Sequence, residues 1–90
     1  DKEENTLTKI DENNFMVLGR ISIDDLKEIL DININTEEAE YDTIAGLVLN
    51  FAGQIPKEGY SFEFENHRFT VKEVLNKRIK KVQIEKLTEA

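Results

Sequence analysis

The stretch Tyr60–Leu87, YSFEFENHRFTVKEVLNKRIKKVQIEKL, decides the fold because apolar and polar residues alternate along most of it. In YSFEFE the three aromatic residues fall on one face and the polar residues on the other, which is the two-residue period of a half-buried strand. Asn66-His67 and Asn76-Lys77 interrupt the alternation with residues that favour tight turns. The pattern therefore predicts a three-stranded antiparallel meander.

The alternation slips once on each of the last two predicted strands. Val74 falls out of phase with Phe69 and Val71, and a similar slip separates Ile79 from Val82. Phase slips on neighbouring strands indicate a β-bulge or a sharp twist.

The preceding stretch, YDTIAGLVLNFAGQIP, is predicted to be a helix that is apolar almost all round. Its large apolar residues follow the i, i+3, i+4, i+7 spacing: Ile44, Leu47, Val48 and Phe51. Asp42 or Thr43 is expected to cap its start. Gly53 suits the left-handed position after a helix, and Pro56 prevents continuation. At about 10–12 residues the helix is too short to span a bilayer, so we interpret it as a central core helix.

The N-terminal third is predicted to contain a hairpin followed by an amphipathic helix. The hairpin strands are expected at 7–10 and 15–18, around turn-forming residues. In RISIDDLKEIL, Ser22 suits the N-cap, and Ile21 and Leu26 have the spacing of a hydrophobic staple. The following DININTEEAEYD is predicted to be a polar, irregular connection. The chain is thus predicted to be an α+β domain, with two helices packed on an antiparallel sheet in the order ββ-αα-βββ.

Ninety residues are enough for one core, and we predict a linker at 1–6, a single domain at 7–87 and a tail at 88–90. The lack of an initiator methionine favours a piece of a longer chain. The net charge of −7 repels phosphate backbones and anionic lipid surfaces, so nucleic-acid binding is not expected. The absence of cysteine excludes disulfides and thiol chemistry.

No catalytic constellation is evident, so we predict that the chain is not an enzyme. His67 is interpreted as a surface turn residue, and the serines have a cap and a strand-surface explanation. Carboxylates form two groups, of which the weak candidates for a Mg²⁺ or Ca²⁺ site are Glu37, Glu38, Glu40 and Asp42. The other group is Asp24, Asp25, Glu28 and Asp31, and a solvated acidic surface is the favoured interpretation of both.

Basic residues concentrate on the last predicted strand: Lys77, Arg78, Lys80, Lys81 and Lys86. They are interpreted either as a face for an anionic partner or as protection of an edge strand against aggregation. The aromatic residues Phe62, Phe64 and Phe69 superficially resemble a base-stacking platform, but their strict alternation favours the core face.

Several segments in this order resemble the CorC/HlyC transporter-associated domain: GRISIDDLKE, YDTIAGLVL, the G-x-I-P-x-x-G run from Gly53 to Gly59, and RIKKVQI. The resemblance covers roughly Leu7 to Leu87. One departure is Asn76-Lys77, where the family often has Asp-Gly.

The resemblance implies a non-enzymatic, cytoplasmic regulatory domain of a bacterial membrane ion transporter of the magnesium and cobalt efflux type, with a hemolysin-like parent. The implied partners are CBS domains and a membrane domain of the same parent chain, and a homodimer is kept open. No cofactor is expected. Similarity to a subdomain of FAD-binding oxidases leaves a flavin- or nucleotide-binding domain as the alternative, with Gly46 and Gly53 bordering the ligand. The face that docks on the partners is either the acidic connection Glu37 to Asp42 or the basic last strand.

Overall fold

The computed structural model describes residues 6–30, 32, 34 and 41–87. It confirms the predicted order ββ-αα-βββ, with the elements β1 (Leu7–Lys9), β2 (Asn14–Leu18), α1 (Ile23–Leu30), α2 (Ile44–Ala52), β3 (Ser61–Phe64), β4 (His67–Leu75) and β5 (Arg78–Lys86). Most of the predicted linker and all of the predicted tail, residues 1–5 and 88–90, lie outside the described residues, as do 37–40 of the acidic connection.

The strands form one antiparallel sheet in the order β1-β2-β5-β4-β3. β5 is therefore the central strand, and its backbone pairs with β2 on one side and β4 on the other. The interpretation of the basic last strand as a protected edge is wrong, because the N-terminal hairpin joins along the free side of β5. The lysines of β5 consequently need another explanation.

Two bulges in the β4–β5 ladder confirm the predicted phase slips. Val71 pairs with Val82 and Val74 with Ile79, but Glu73 pairs with Lys81, so each strand carries one extra residue between these pairs. The extra residue on β5 turns both Ile79 and Val82 towards the core, although an odd number of positions separates them. Lys80 and Lys81 are therefore exposed side by side.

The core lies between the two helices and one face of the sheet. The helices contribute Ile23, Leu26, Ile44, Leu47 and Val48, and the strands contribute Val17, Phe69, Val71, Ile79, Val82 and Ile84. Ile32 and Ile34, which are only 3% and 1% exposed, also belong to it. The connection between the helices is therefore not uniformly polar, and its isoleucines help to close the core.

Both helices begin at the predicted caps. The Ser22 hydroxyl accepts a hydrogen bond from the Asp25 amide at 3.0 Å, and the Thr43 hydroxyl accepts one from the Gly46 amide at 3.3 Å. Gly53 ends α2 with φ 81°, and its amide donates to the Leu49 carbonyl. This geometry needs the left-handed conformation that glycine adopts without strain.

Phe51, predicted to be a core residue, is 39% exposed. It lies in the last turn of α2, and its ring stacks on Phe62 of the edge strand β3 at a centroid distance of 4.3 Å. The Phe51 side chain therefore lies at the margin of the core and not at its centre.

His67 was predicted to be an exposed turn residue, and this prediction is wrong. The turn is formed by Glu65 and Asn66, which have φ 53° and 63°, so His67 is the first residue of β4. It is 6% exposed, and its Nδ1 lies 2.7 Å from the Glu65 carbonyl oxygen. Its burial places it on the same face of β4 as Phe69.

The first hairpin is stabilised by its own turn residues. The Asp11 carboxylate accepts hydrogen bonds from the Asn14 side chain at 3.0 and 3.2 Å and from the Asn13 amide at 2.9 Å. These bonds favour the ionised form, so the pKa of Asp11 lies below its usual value of 3.8.

Lys77→Gly is expected to raise the free energy of unfolding by about 0.5–1 kcal/mol. Asn76 and Lys77 have φ 53° and 63°, a pair of left-handed residues that is typical of a type I′ turn and favours glycine at the second position. Urea denaturation measures the change. An equal or lower stability of the variant would contradict this account of the turn.

Candidate functional site

The sequence-predicted metal candidates are not brought together within the described residues. Asp42 is exposed just before α2, whereas Glu37, Glu38 and Glu40 lie outside the part of the chain that the structure describes. Within the described ranges, no group of three histidine, aspartate or glutamate side chains is arranged to hold a metal ion. A site that uses the acidic connection stays a prediction.

A cleft of about 550 Å³ lies between the start of α2, the end of β2 and the β4–β5 hairpin. Its apolar lining is formed by Leu18, Ala45, Leu49, Ile55 and Ile79. Its charged lining is formed by Arg20, Glu73, Lys77, Arg78, Lys80 and Lys81. We call this cleft, with both its apolar and its charged lining, the basic cleft.

Gly19 fixes the geometry of the basic cleft by joining three elements. Its amide donates to the Lys80 carbonyl and its carbonyl accepts from the Ala45 amide, both at 2.9 Å. A Cβ at this position would collide with the Ile79 carbonyl oxygen. Only glycine allows β2 to approach β5 this closely while also binding the first turn of α2, and the next residue, Arg20, is thereby placed beside the start of β5.

Most cations of the cleft have no carboxylate partner among the residues that the structure describes. Lys81 forms an ion pair with Glu73 at 3.7 Å. Within the described part of the chain, Arg20, Lys77, Arg78 and Lys80 form no ion pair, and all four are exposed. By contrast, Arg68 on the helix-free face of the sheet is held between two carboxylates, Glu63 and Glu85.

The cleft is a positive region on an acidic protein. It holds five of the twelve basic residues but one of the nineteen acidic ones, a net charge of +4. The remaining seven basic and eighteen acidic residues carry a net charge of −11. A concave region of one sign concentrates ions of the other sign, so the cleft attracts anions.

The amides at the start of α2 are not available to such an anion. The Ile44 amide donates to the Ile21 carbonyl at 3.0 Å, and the Ala45 and Gly46 amides bond to Gly19 and Thr43 as described above. The first amides of α2 therefore do not form a site for an anion, and the positive charge of the cleft comes from its lysine and arginine side chains.

The aromatic residues do not form an open platform. Phe62 lies between Phe51 and Phe69, with near-parallel rings at centroid distances of 4.3 and 5.1 Å. Phe69 is fully buried, which confirms the predicted core face. Phe51, Phe62 and Phe69 are not among the residues that line the basic cleft.

The sequence located the lysines of β5 but not the cleft. Lys86, which was grouped with them, does not line it, whereas Arg20 does. The glycine next to Arg20 is a sequence signal for a close approach of two backbone segments. Only the strand order shows that the segment which Gly19 approaches is β5.

Two helices on one five-stranded antiparallel sheet, in the order ββ-αα-βββ, define the structural class of this chain. The family model CorC_HlyC matches residues 8–88 of this chain, and the family is described as "Transporter associated domain". The chain belongs to the CorC/HlyC transporter-associated domain family, which confirms the resemblance.

The relatives with similar sequences are longer proteins. A polyamine export protein of Salmonella typhimurium is 32% identical over 84 residues, covering 93% of this chain but 19% of its own length. Hemolysin C of Brachyspira hyodysenteriae is 29% identical, with 97% of this chain and 32% of its own length covered. The magnesium and cobalt efflux protein CorC of Buchnera aphidicola is 27% identical, with 93% and 29% covered. The chain thus spans about a fifth to a third of these proteins.

Solved structures share the fold over nearly the whole chain. A hemolysin domain from Enterococcus faecalis V583 has a TM-score of 0.84 at 29% identity, and 93% of this chain and 100% of that one are covered. The transporter-associated domain of a Xylella fastidiosa Temecula1 hemolysin has a TM-score of 0.83 at 26% identity, with 96% and 100% covered. That Xylella domain has also been solved in complex with Mg²⁺ and Mn²⁺.

Proposed function

We propose that this chain is a non-enzymatic regulatory domain of a bacterial membrane ion transporter of the magnesium and cobalt efflux type. The observation that carries the proposal is the match of nearly the whole chain to a minor part of export and efflux proteins. The two helices of the described residues, of eight and nine residues, both fall short of a membrane span. The proposal places the domain on the cytoplasmic side, next to CBS domains and a membrane domain.

The side chains that elsewhere perform catalysis have structural roles here, which supports a non-enzymatic function. Ser22 caps α1, and His67 is buried with its Nδ1 beside a backbone carbonyl. The hydroxyl and the carboxylate that line the basic cleft are both engaged within the protein, since the Thr43 hydroxyl accepts from the Gly46 amide and Glu73 pairs with Lys81.

Regulation by contact is the mechanism that we propose. The domain docks through the basic cleft, and a change in that contact shifts the transporter between states of different activity. The cleft is favoured over the acidic connection because its cations come from separate segments, are held by defined backbone bonds and are largely unpaired within the described residues. A homodimer stays a prediction.

Flavin binding beside the glycines of α2 is less well supported. A Cβ on Gly46 would lie 2.6 Å from the Tyr41 Cβ, so this glycine makes room for Tyr41. FAD binding stays a prediction, and the absorbance spectrum of the purified protein tests it.

Removal of the domain is expected to change Mg²⁺ efflux from cells that produce the full-length membrane protein. The experiment compares the intact protein with a form that lacks residues 7–87, at matched membrane abundance and over a range of cytoplasmic Mg²⁺. A regulatory domain predicts a changed rate or a changed Mg²⁺ dependence. Identical transport by both forms would contradict regulation and leave assembly or partner docking as the function.

A further inference from the structure

We propose that the basic cleft binds a small phosphate-bearing molecule with a planar or apolar part, of the nucleoside diphosphate class. This goes beyond the proposed regulation, which requires contacts between domains but no small ligand. The same cations would serve both roles, since a ligand in the cleft changes the charge that a docking partner meets.

The dimensions and lining of the cleft suit such a molecule. Small-molecule sites usually enclose about 300–1,000 Å³ and combine apolar walls with a few polar groups, and this cleft encloses about 550 Å³. Leu18, Leu49 and Ile55 provide an apolar surface for a ring. The cations beside it provide the contacts for phosphate oxygens.

The cations approach the cleft from separate parts of the fold. Arg20 follows β2, Lys77 and Arg78 belong to the β4–β5 hairpin, and Lys80 occupies the bulge on β5. A guanidinium presents a planar fork of donors that matches two phosphate oxygens, so the two arginines are the expected primary contacts. Neither forms an ion pair within the described ranges, so neither loses a partner there when a phosphate binds.

The charge distribution favours a compact anion over an extended one. The cleft carries +4, whereas the other described residues, with six basic and ten acidic side chains, carry −4. A nucleic acid or a long acidic peptide that extends beyond the cleft meets this negative charge, whereas a small phosphate compound does not. Because exposed side chains hold the anion, its affinity is expected to fall as salt is raised.

The test is an ¹⁵N NMR titration of the 90-residue chain with ADP, up to about 5 mM at low salt, which detects millimolar affinities. Adenosine and inorganic phosphate are titrated in parallel. We expect ADP to shift amide signals at 18–20, 77–81 and Leu49, and to bind more tightly than either fragment. Raised salt is expected to weaken the binding of ADP more than the binding of adenosine.

Paired variants assign the binding to the cleft. The double variant Arg20→Gln/Arg78→Gln is expected to bind ADP roughly tenfold more weakly, because two charged contacts are lost. Lys72→Gln/Lys86→Gln removes the same charge from exposed positions outside the cleft and is expected to change affinity less than about twofold. Unchanged signals from the core residues show that each variant is folded.

Four results would each overturn the proposal. These are the absence of amide shifts with ADP, equal affinities for ADP and inorganic phosphate, equal losses in the two double variants, and tighter binding of hexaglutamate than of ADP at the same residues. The last would identify the cleft as a receptor for acidic peptide. Since the titration uses the isolated chain, its outcome does not depend on whether the domain regulates transport.

Discussion

Leu47→Ala is expected to lower the free energy of unfolding by about 2–5 kcal/mol. Leu47 is fully buried in the middle of α2, and the helix covers the central strand of the sheet. Truncation removes apolar contacts and leaves a cavity that the surrounding isoleucines and valines fill only in part. Denaturant unfolding followed by circular dichroism measures the change.

Leu75→Ala is the matched control for this prediction. It is the same substitution at a position that is 52% exposed, and we expect a loss of less than about 1 kcal/mol. Phe51→Ala is expected to fall between the two, because its ring is half exposed but stacks on Phe62. Similar small losses for Leu47→Ala and Leu75→Ala would show that α2 is not the core helix.

Gly19→Ala is the second large effect, with an expected loss of about 3 kcal/mol, the upper end of the usual range for overpacking. The added methyl group collides with the Ile79 carbonyl oxygen, which is backbone and cannot rotate away. Relief requires β2 to move away from β5, which breaks the bond between the Gly19 amide and the Lys80 carbonyl. In this variant, hydrogen exchange is expected to be faster at the amides of position 19 and Ala45.

Gly53→Ala separates this steric effect from the general cost of replacing glycine. At Gly53 a Cβ has no neighbour within 4 Å, and only the left-handed φ of 81° opposes alanine. We expect a loss of about 1 kcal/mol there, without effect on the basic cleft. A smaller loss at Gly19 than at Gly53 would contradict the close approach of β2 to β5.

The sequence predicts most local structure in this chain because single residues report it directly. Ser22 and Thr43 cap their helices as expected, and the phase slips around Val74 and Ile79 are bulges. The strand order could not be predicted, since a two-residue period shows which face is buried and not which strand lies alongside. The position of β5 at the centre of the sheet therefore had to come from the structure.

The basic cleft was only half predictable, for the same reason. A run of cations around Lys80 is visible in the sequence, but Arg20 joins it through the pairing of β2 with β5. His67 was misassigned because a histidine beside an asparagine matches turn chemistry, whereas the turn uses Glu65 and Asn66. The connection between the helices is predicted to be polar because polar residues surround Ile32 and Ile34, and the burial of these two isoleucines is not evident from the sequence.

The most direct measurement is Mg²⁺ efflux by the longer membrane protein to which the proposed function assigns this domain. It is made with Arg20→Gln/Arg78→Gln, beside Lys72→Gln/Lys86→Gln as the charge-matched control. Both are compared with the unmodified protein at equal membrane abundance. If the domain regulates transport through its basic cleft, the first variant changes the efflux rate or its Mg²⁺ dependence and the control does not. Wild-type transport by both variants, or the same change in both, would contradict this account.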